Sequence, residues 1–166
     1  MKKLLPFALL FASFSCISQE PMYTNSWELN PGGSTHEAPQ KKDNTIIIQT
    51  SDSYEEALRN MVAILTDKGF GMQTIDKELG VITTTGKGIR GSEVALIVQV
   101  RDGETTTVHI RGGLDGSSMT IYGVTEDAKY NVEYRGMKGS PIMRGWEEMY
   151  NVAKNYPGAS ITYASK

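Results

Sequence analysis

The chain has 166 residues, 39% hydrophobic and 22% charged, a balance that fits one globular domain. Its 17 Lys and Arg against 19 Asp and Glu give a net charge of -2, so no basic excess exists to neutralise a phosphate backbone, and nucleic acid is not an expected partner. A single cysteine, Cys16, and two histidines, His36 and His109, exclude an internal disulfide and a Cys/His zinc cluster, and neither metal nor cofactor is expected.

The N-terminus reads as an export signal. Met1, Lys2 and Lys3 form a positive start, and Leu4 to Phe14 is apolar or small apart from Ser13, at signal-peptide length and too short to span a bilayer. The run ends Ser13-Phe14-Ser15-Cys16. A small residue directly before the only cysteine resembles a relaxed lipobox, where bacterial lipoproteins are acylated on Cys and cleaved before it, with Ser13 in place of the usual Leu. That resemblance implies a signal peptide over 1–15, lipidation of Cys16 and a membrane contact through acyl chains, each buried methylene contributing about 0.8 kcal/mol. Ordinary secretory cleavage, at Ser15 or after Ser18, is the alternative. No later stretch predicts a span, because the most apolar one, Val94 to Val100, has strand length. Loss of Lys2 and Lys3 leaves a mature chain of about -4.

Up to Asn44 the sequence is rich in Ser, Gln, Pro, Asn, Gly and charge, including Asn30-Pro31-Gly32-Gly33-Ser34-Thr35, which predicts a flexible tether over 16–44 and a folded domain over 45–166. Trp27 is the exception in the tether, either packed onto the domain or an interfacial anchor. Thr45 to Thr50, with consecutive Ile46, Ile47 and Ile48, predicts a buried strand. Ser53 and Glu56 form a capping box for a helix whose Ala57, Leu58, Met61, Val62, Ile64 and Leu65 recur at helical spacing and which stops at Lys68-Gly69. Phe70 to Ile75 and Gly80 to Thr85 predict strands joined by a polar turn over Asp76-Lys77-Glu78-Leu79. Glu93 to Arg101 and Thr105 to Arg111 flank Asp102-Gly103, a two-residue hairpin signal, and period two puts Val94, Leu96, Val98, Val100, Val108 and Ile110 on the core face. Gln99, Arg101, Thr107, His109 and Arg111 fall on the other, exposed face. Met119 to Val124 and Tyr130 to Tyr134 predict further strands. Pro141 opens a second helix with an apolar stripe of Ile142, Trp146, Met149, Tyr150 and Ala153, and Ser160 to Tyr163 a last short strand.

The order predicts an α+β fold, one curved antiparallel sheet packed on one face by two helices. Ala57 to Thr85, with its Leu65-Thr66-Asp67-Lys68-Gly69-Phe70 and Asp76-Lys77-Glu78-Leu79-Gly80-Val81-Ile82-Thr83-Thr84, resembles small bacterial envelope lipoproteins with a TATA-binding-protein-like (helix-grip-like) domain. It is more distantly similar to the accessory lipoprotein domains of the outer-membrane β-barrel assembly machine. The resemblance implies a fold and an outer-membrane, lipid-anchored address, and it carries no catalytic residues.

Gly86-Lys87-Gly88-Ile89-Arg90-Gly91 satisfies G-x-G-x-x-G, but a dinucleotide fingerprint needs a following helix, and strands lie on both sides, so a strand-connecting loop is expected. His109 lacks a G-x-S-x-G serine elsewhere in the chain, since Ser92, Ser117 and Ser118 lie in Gly-rich turns, and Asp102 and Asp115 read as turn formers. Glu55 with Glu56, and Glu147 with Glu148, read as acids in helix first turns rather than a glycosidase pair. The leading expectation is therefore a non-enzymatic envelope domain that binds a protein or assists assembly, through Lys87, Arg90, Tyr130 and Tyr134, with no catalytic residue. A binder of a small or lipidic ligand in the groove between sheet and helix is the second class, and an envelope hydrolase built on His109 the third.

Overall fold

The computed structural model describes residues 35–116, 119–121, 124–126 and 129–165. The expected export signal, Cys16, Trp27, Ser117, Ser118 and Tyr122 lie outside the described residues. The strands are β1 (Thr35–His36), β2 (Thr45–Thr50), β3 (Met72–Asp76), β4 (Val81–Thr84), β5 (Lys87–Ile89), β6 (Ser92–Arg101), β7 (Thr106–Gly116), β8 (Met119–Ile121), β9 (Val124–Glu126), β10 (Lys129–Asn131) and β11 (Ser160–Ala164). Helix α1 (Tyr54–Asp67) follows β2, and α2 (Pro141–Ala153) precedes β11. Nine strands make one open antiparallel sheet in the order β1-β11-β2-β7-β6-β4-β3, with β10 on the far half of β7 and β5 on the far half of β6. The fold is the expected α+β layer.

Register follows the period-two pattern. Ile46 faces Ile110, which faces Val98, and Ile48 faces Val108, which faces Val100, so one face of the sheet is continuously apolar. Ala57, Leu58, Met61 and Leu65 of α1 and Met143, Trp146, Met149 and Val152 of α2 close over that face in one core cluster. The capping box of α1 is present, with Glu56 N–H donating to Ser53 Oγ and the Glu56 carboxylate accepting from Ser53 N–H (3.1 Å). Gly69, at φ 80°, supplies the left-handed stop. Tyr156 Oη and Asn60 Nδ2 both donate to Asp52 Oδ2, at 2.7 and 2.8 Å, which ties the end of α2 to α1.

Helix α2 differs from its predicted form in two respects. Tyr150 is exposed and Ile142 only half-buried, because Met143, Gly145 and Val152 take the core-facing positions. A Cβ on Gly145 would meet Val132 Cγ2 at 2.8 Å, so glycine is what lets the helix approach that segment. Glu147 and Glu148 lie beyond the first turn, which holds no acid; Ser140 caps the helix through its bond to Met143 N–H (3.2 Å).

Four other expectations change. The β6–β7 connection is no two-residue turn: Arg101 pairs with Thr107, and Gly103 lacks the positive φ that such a turn requires. Strand β7 runs on to Gly116 in pairing with Ser92, through Gly112, where a Cβ would meet Val132 Cγ2 at 2.9 Å and Met149 Sδ at 3.0 Å. The G-x-G-x-x-G stretch contains β5, a strand rather than a free loop, hydrogen-bonded to β6. Within 35–44, read as tether, β1 pairs with β11, and Lys42 N–H and Asp43 C=O bond the backbone of Tyr134 at 2.9 and 2.7 Å.

Candidate functional site

Helix α1 carries two adjacent stripes. Ala57, Leu58, Met61 and Leu65 enter the core, while Glu55, Leu58, Arg59, Val62 and Ala63, at positions i, i+3, i+4, i+7 and i+8, form a second face. That second face, with Tyr54, Ile75 and Lys77, lines a groove of about 590 Å3 between α1 and β3. Its floor is apolar, and Glu55, Arg59 and Lys77 supply its charge. Tyr54 Oη donates to the Lys77 carbonyl at 2.7 Å and fixes the aromatic ring at one end. Ile75 lies on the helix side of the sheet, opposite Ile82, yet it is 41% exposed. An isoleucine on the helix side and still open to solvent means that the helix stands off this strand.

The neighbouring strand is itself unfinished. Among the described residues β3 ends the sheet and pairs only with β4, so one side of its backbone has no sheet partner there. It is longer than the other edge strands, β1, β5 and β10. A register shift between Met72 and Thr74 bends its start, which leaves Thr74–Asp76 regular beside the groove.

The four residues expected to bind a partner are partly brought together. Lys87 faces Val94, Val94 faces Leu114, and Leu114 faces Tyr130, so Lys87 and Tyr130 lie in one row across four strands, about 14 Å apart. Lys87 is engaged: its ammonium sits 2.7 Å from Glu148 of α2 and 5.0 Å from the centre of the Phe70 ring. The carbonyl of exposed Arg90 accepts from Arg144 Nη1 (2.9 Å). Tyr134 packs edge-on against Trp146 at 5.7 Å, whereas Tyr130 is 51% exposed.

His109 is on the sheet face away from the helices, as parity requires, between Gln99 of β6 and Ile47 of β2. It is 5% exposed, however, not the exposed histidine expected, and Arg111 beside it is equally buried. Burial, then Arg101 and Arg111, hold the imidazole down at about 4, so it is neutral at pH 7, and its Nδ1 has no hydrogen-bond partner. Burial and Arg101 also lower the Arg111 guanidinium, whose Nε donates to Thr45 Oγ1 at 2.9 Å. Ser92 faces Gly116, seven residues along β7 from His109, a separation of about 23 Å. Strand geometry thus keeps His109 away from that serine. Among the described residues no cluster of His, Cys, Asp and Glu could hold a metal ion, and no helix is long and apolar enough to cross a membrane.

Sequence reasoning missed the groove. Its signal was the spill of Leu58, Val62 and Ala63 beyond a single core stripe. The chain matches no family model and no curated protein sequence.

Proposed function

We propose that this is an exported, lipid-anchored envelope protein whose domain is non-enzymatic and binds an extended segment of another envelope protein along β3. The observation that carries the reading is the pairing of an open strand edge with an apolar groove beside it. Main-chain groups on the outer side of Thr74–Asp76 supply hydrogen bonds to an added strand, and alternate apolar side chains of that strand enter between Leu58, Val62 and Ile75. Charges around an apolar floor are the arrangement of a protein interface. The main sheet–helix interface is filled by wholly buried Ile110, Met61, Leu65 and Met149, which favours this reading over a ligand held at the centre of the domain.

Two tests address its two halves. Ile75→Glu places a charge on the groove floor at a half-open position, so folding stability should change by about 1 kcal/mol or less while partner recovery falls at least tenfold. Recovery unchanged by Ile75→Glu, with Arg90→Ala and Tyr130→Ala abolishing it, would place binding on the opposite end of the sheet. For the anchor, metabolic labelling with a fatty-acid analogue should mark the wild-type chain and leave Cys16→Ser unmarked; equal labelling of both would remove the lipid anchor.

A further inference from the structure

The ladder beside the groove fixes which backbone groups of β3 are open. In an antiparallel ladder the N–H and C=O of one residue point to the same side, and the sides alternate along the strand. Val100 N–H donates to the Gly80 carbonyl and Thr85 N–H to the Gly71 carbonyl, both at 2.8 Å. Gly80 therefore bonds toward β6 and Thr85 toward β3. Alternation from either end makes Val81 and Thr83 the residues of β4 that bond β3, where they face Asp76 and Thr74. Ile75, between those two, turns its N–H and C=O outward. Its side chain lies in the groove, so one residue supplies both the open edge and part of the floor.

An added strand then has a fixed register. Antiparallel addition continues the pairing of the described sheet and sets one partner residue opposite Ile75, with two N–H···O bonds exchanged between them and its side chain on the groove side. Helix α1 runs against β3, because Tyr54 Oη is tied to the Lys77 carbonyl at 2.7 Å, and this puts Leu58 level with Ile75. Val62 lies four residues on, about 6 Å, close to the roughly 7 Å between alternate residues of a strand. Two apolar side chains separated by one residue thus meet Leu58 and Val62. The groove-side position two residues earlier in the partner falls at the Lys77 end. Lys77 and Arg59 line the groove there against Glu55, and the Cα–Cβ bond of Arg59 tilts toward the helix N-terminus, hence toward Lys77. Other nearby acids are turned elsewhere: Glu56 Oε2 accepts from Ser53 N–H and Oγ, Asp76 Oδ1 accepts from Glu78 and Leu79 N–H, and Glu78 is outside the groove lining. Two cations against one acid favour a carboxylate in the occupant.

We infer that the β3 edge takes an extended, antiparallel peptide that carries, in order, an acid, a spacer, an apolar residue opposite Ile75, a spacer and a second apolar residue, with the acid on Lys77 and Arg59. The inference rests on strand addition at β3 as proposed above and adds its direction, register and charge. A second copy of this chain does not match the site. Paired about Ile75, it would present Gln73, Ile75 and Lys77 where the groove favours acid, apolar and apolar, and it would hold the two Arg59 side chains at one level, cation toward cation.

Fluorescence anisotropy of the labelled peptide Thr-Glu-Thr-Val-Thr-Val-Thr, titrated with the full chain, tests it. N-methylation of the first valine, whose N–H faces Ile75, should weaken binding by about tenfold, whereas N-methylation of the threonine after it, whose N–H points away from β3, should change binding by less than about twofold. Lysine in place of the glutamate should weaken binding by about fivefold, and Lys77→Glu, an exposed substitution, should reverse that preference. Equal affinity for the glutamate and lysine peptides, with the methylation contrast intact, would overturn the charged position and leave strand addition standing. Equal effects of the two methylations would overturn pairing at Ile75 and strand addition with it. No binding of the peptide, with partner recovery still lost in Ile75→Glu, would overturn the motif alone. Sedimentation showing a dimer that Ile75→Glu dissolves would assign the edge to a second copy and overturn the peptide.

Discussion

Replacing Trp146 with alanine is expected to cost about 3 to 5 kcal/mol, the range for removing a large buried aromatic side chain. The indole is 3% exposed and joins three parts of the chain. Its ring lies 5.7 Å from that of Tyr134 and 6.0 Å from that of Tyr163, so α2, the segment after β10 and the edge-side strand β11 all meet on it. Tyr134 in turn holds Asp43 and Lys42 through the backbone, and the loss should therefore reach the start of the folded domain. Val132 and Leu114 lie close against Gly145, the residue before Trp146, so this part of α2 is tightly packed. The unfolding midpoint should fall by on the order of 15 °C. A midpoint within a degree or two of wild type would mean that the aromatic cluster carries none of the core.

Acid should destabilise the domain through one side chain. His109 is held at about 4 in the folded protein against 6.5 for the free group, by burial first and then by Arg101 and Arg111. The folded pKa is the lower one, so between these values the unfolded chain binds a proton that the folded chain refuses. Stability from this group is complete above about pH 6.5, falls as the pH drops toward 4, and the total loss is on the order of 3 kcal/mol. Among the described residues the groups facing the ring are Gln99 and Ile47 across the strands and the two arginines, none of them an acid. His109→Gln keeps a polar side chain and removes the titration. Denaturant unfolding at pH 7 and pH 4.5 should show a smaller acid loss in this variant than in wild type, by roughly 2 to 3 kcal/mol; equal losses would mean that His109 titrates normally.

What the sequence disclosed was governed by short-range rules. Ile46-Ile47-Ile48 specifies a strand through β-branching, and Ser53 with Glu56 specifies a helix start through two reciprocal bonds. Both stand as expected. The departures came where distant packing overrides local preference. Gly112 and Gly113 argue against a continuing strand by propensity, yet β7 passes through them because Val132 and Met149 need the space over Gly112. Gly86 to Gly91 argues for a loop, yet β6 is long enough to offer a second partner a free edge, and Lys87 is fixed there by Glu148. Parity placed His109 on the face away from the helices, but parity carries no information about burial on that face. For the groove, the sequence shows the extra stripe of α1, whereas the open Ile75 depends on how far the helix stands from β3, a tertiary distance without local signature.

Site-specific photocrosslinking in living cells tests the central claim most directly. A crosslinking amino acid at position 75, in the groove beside the open edge of β3, should give one dominant protein adduct, and the same probe at position 130, on the exposed tyrosine of β10, should give none. Adduct formation from position 130 with none from position 75 would contradict the account and return binding to the Lys87–Tyr130 end of the sheet.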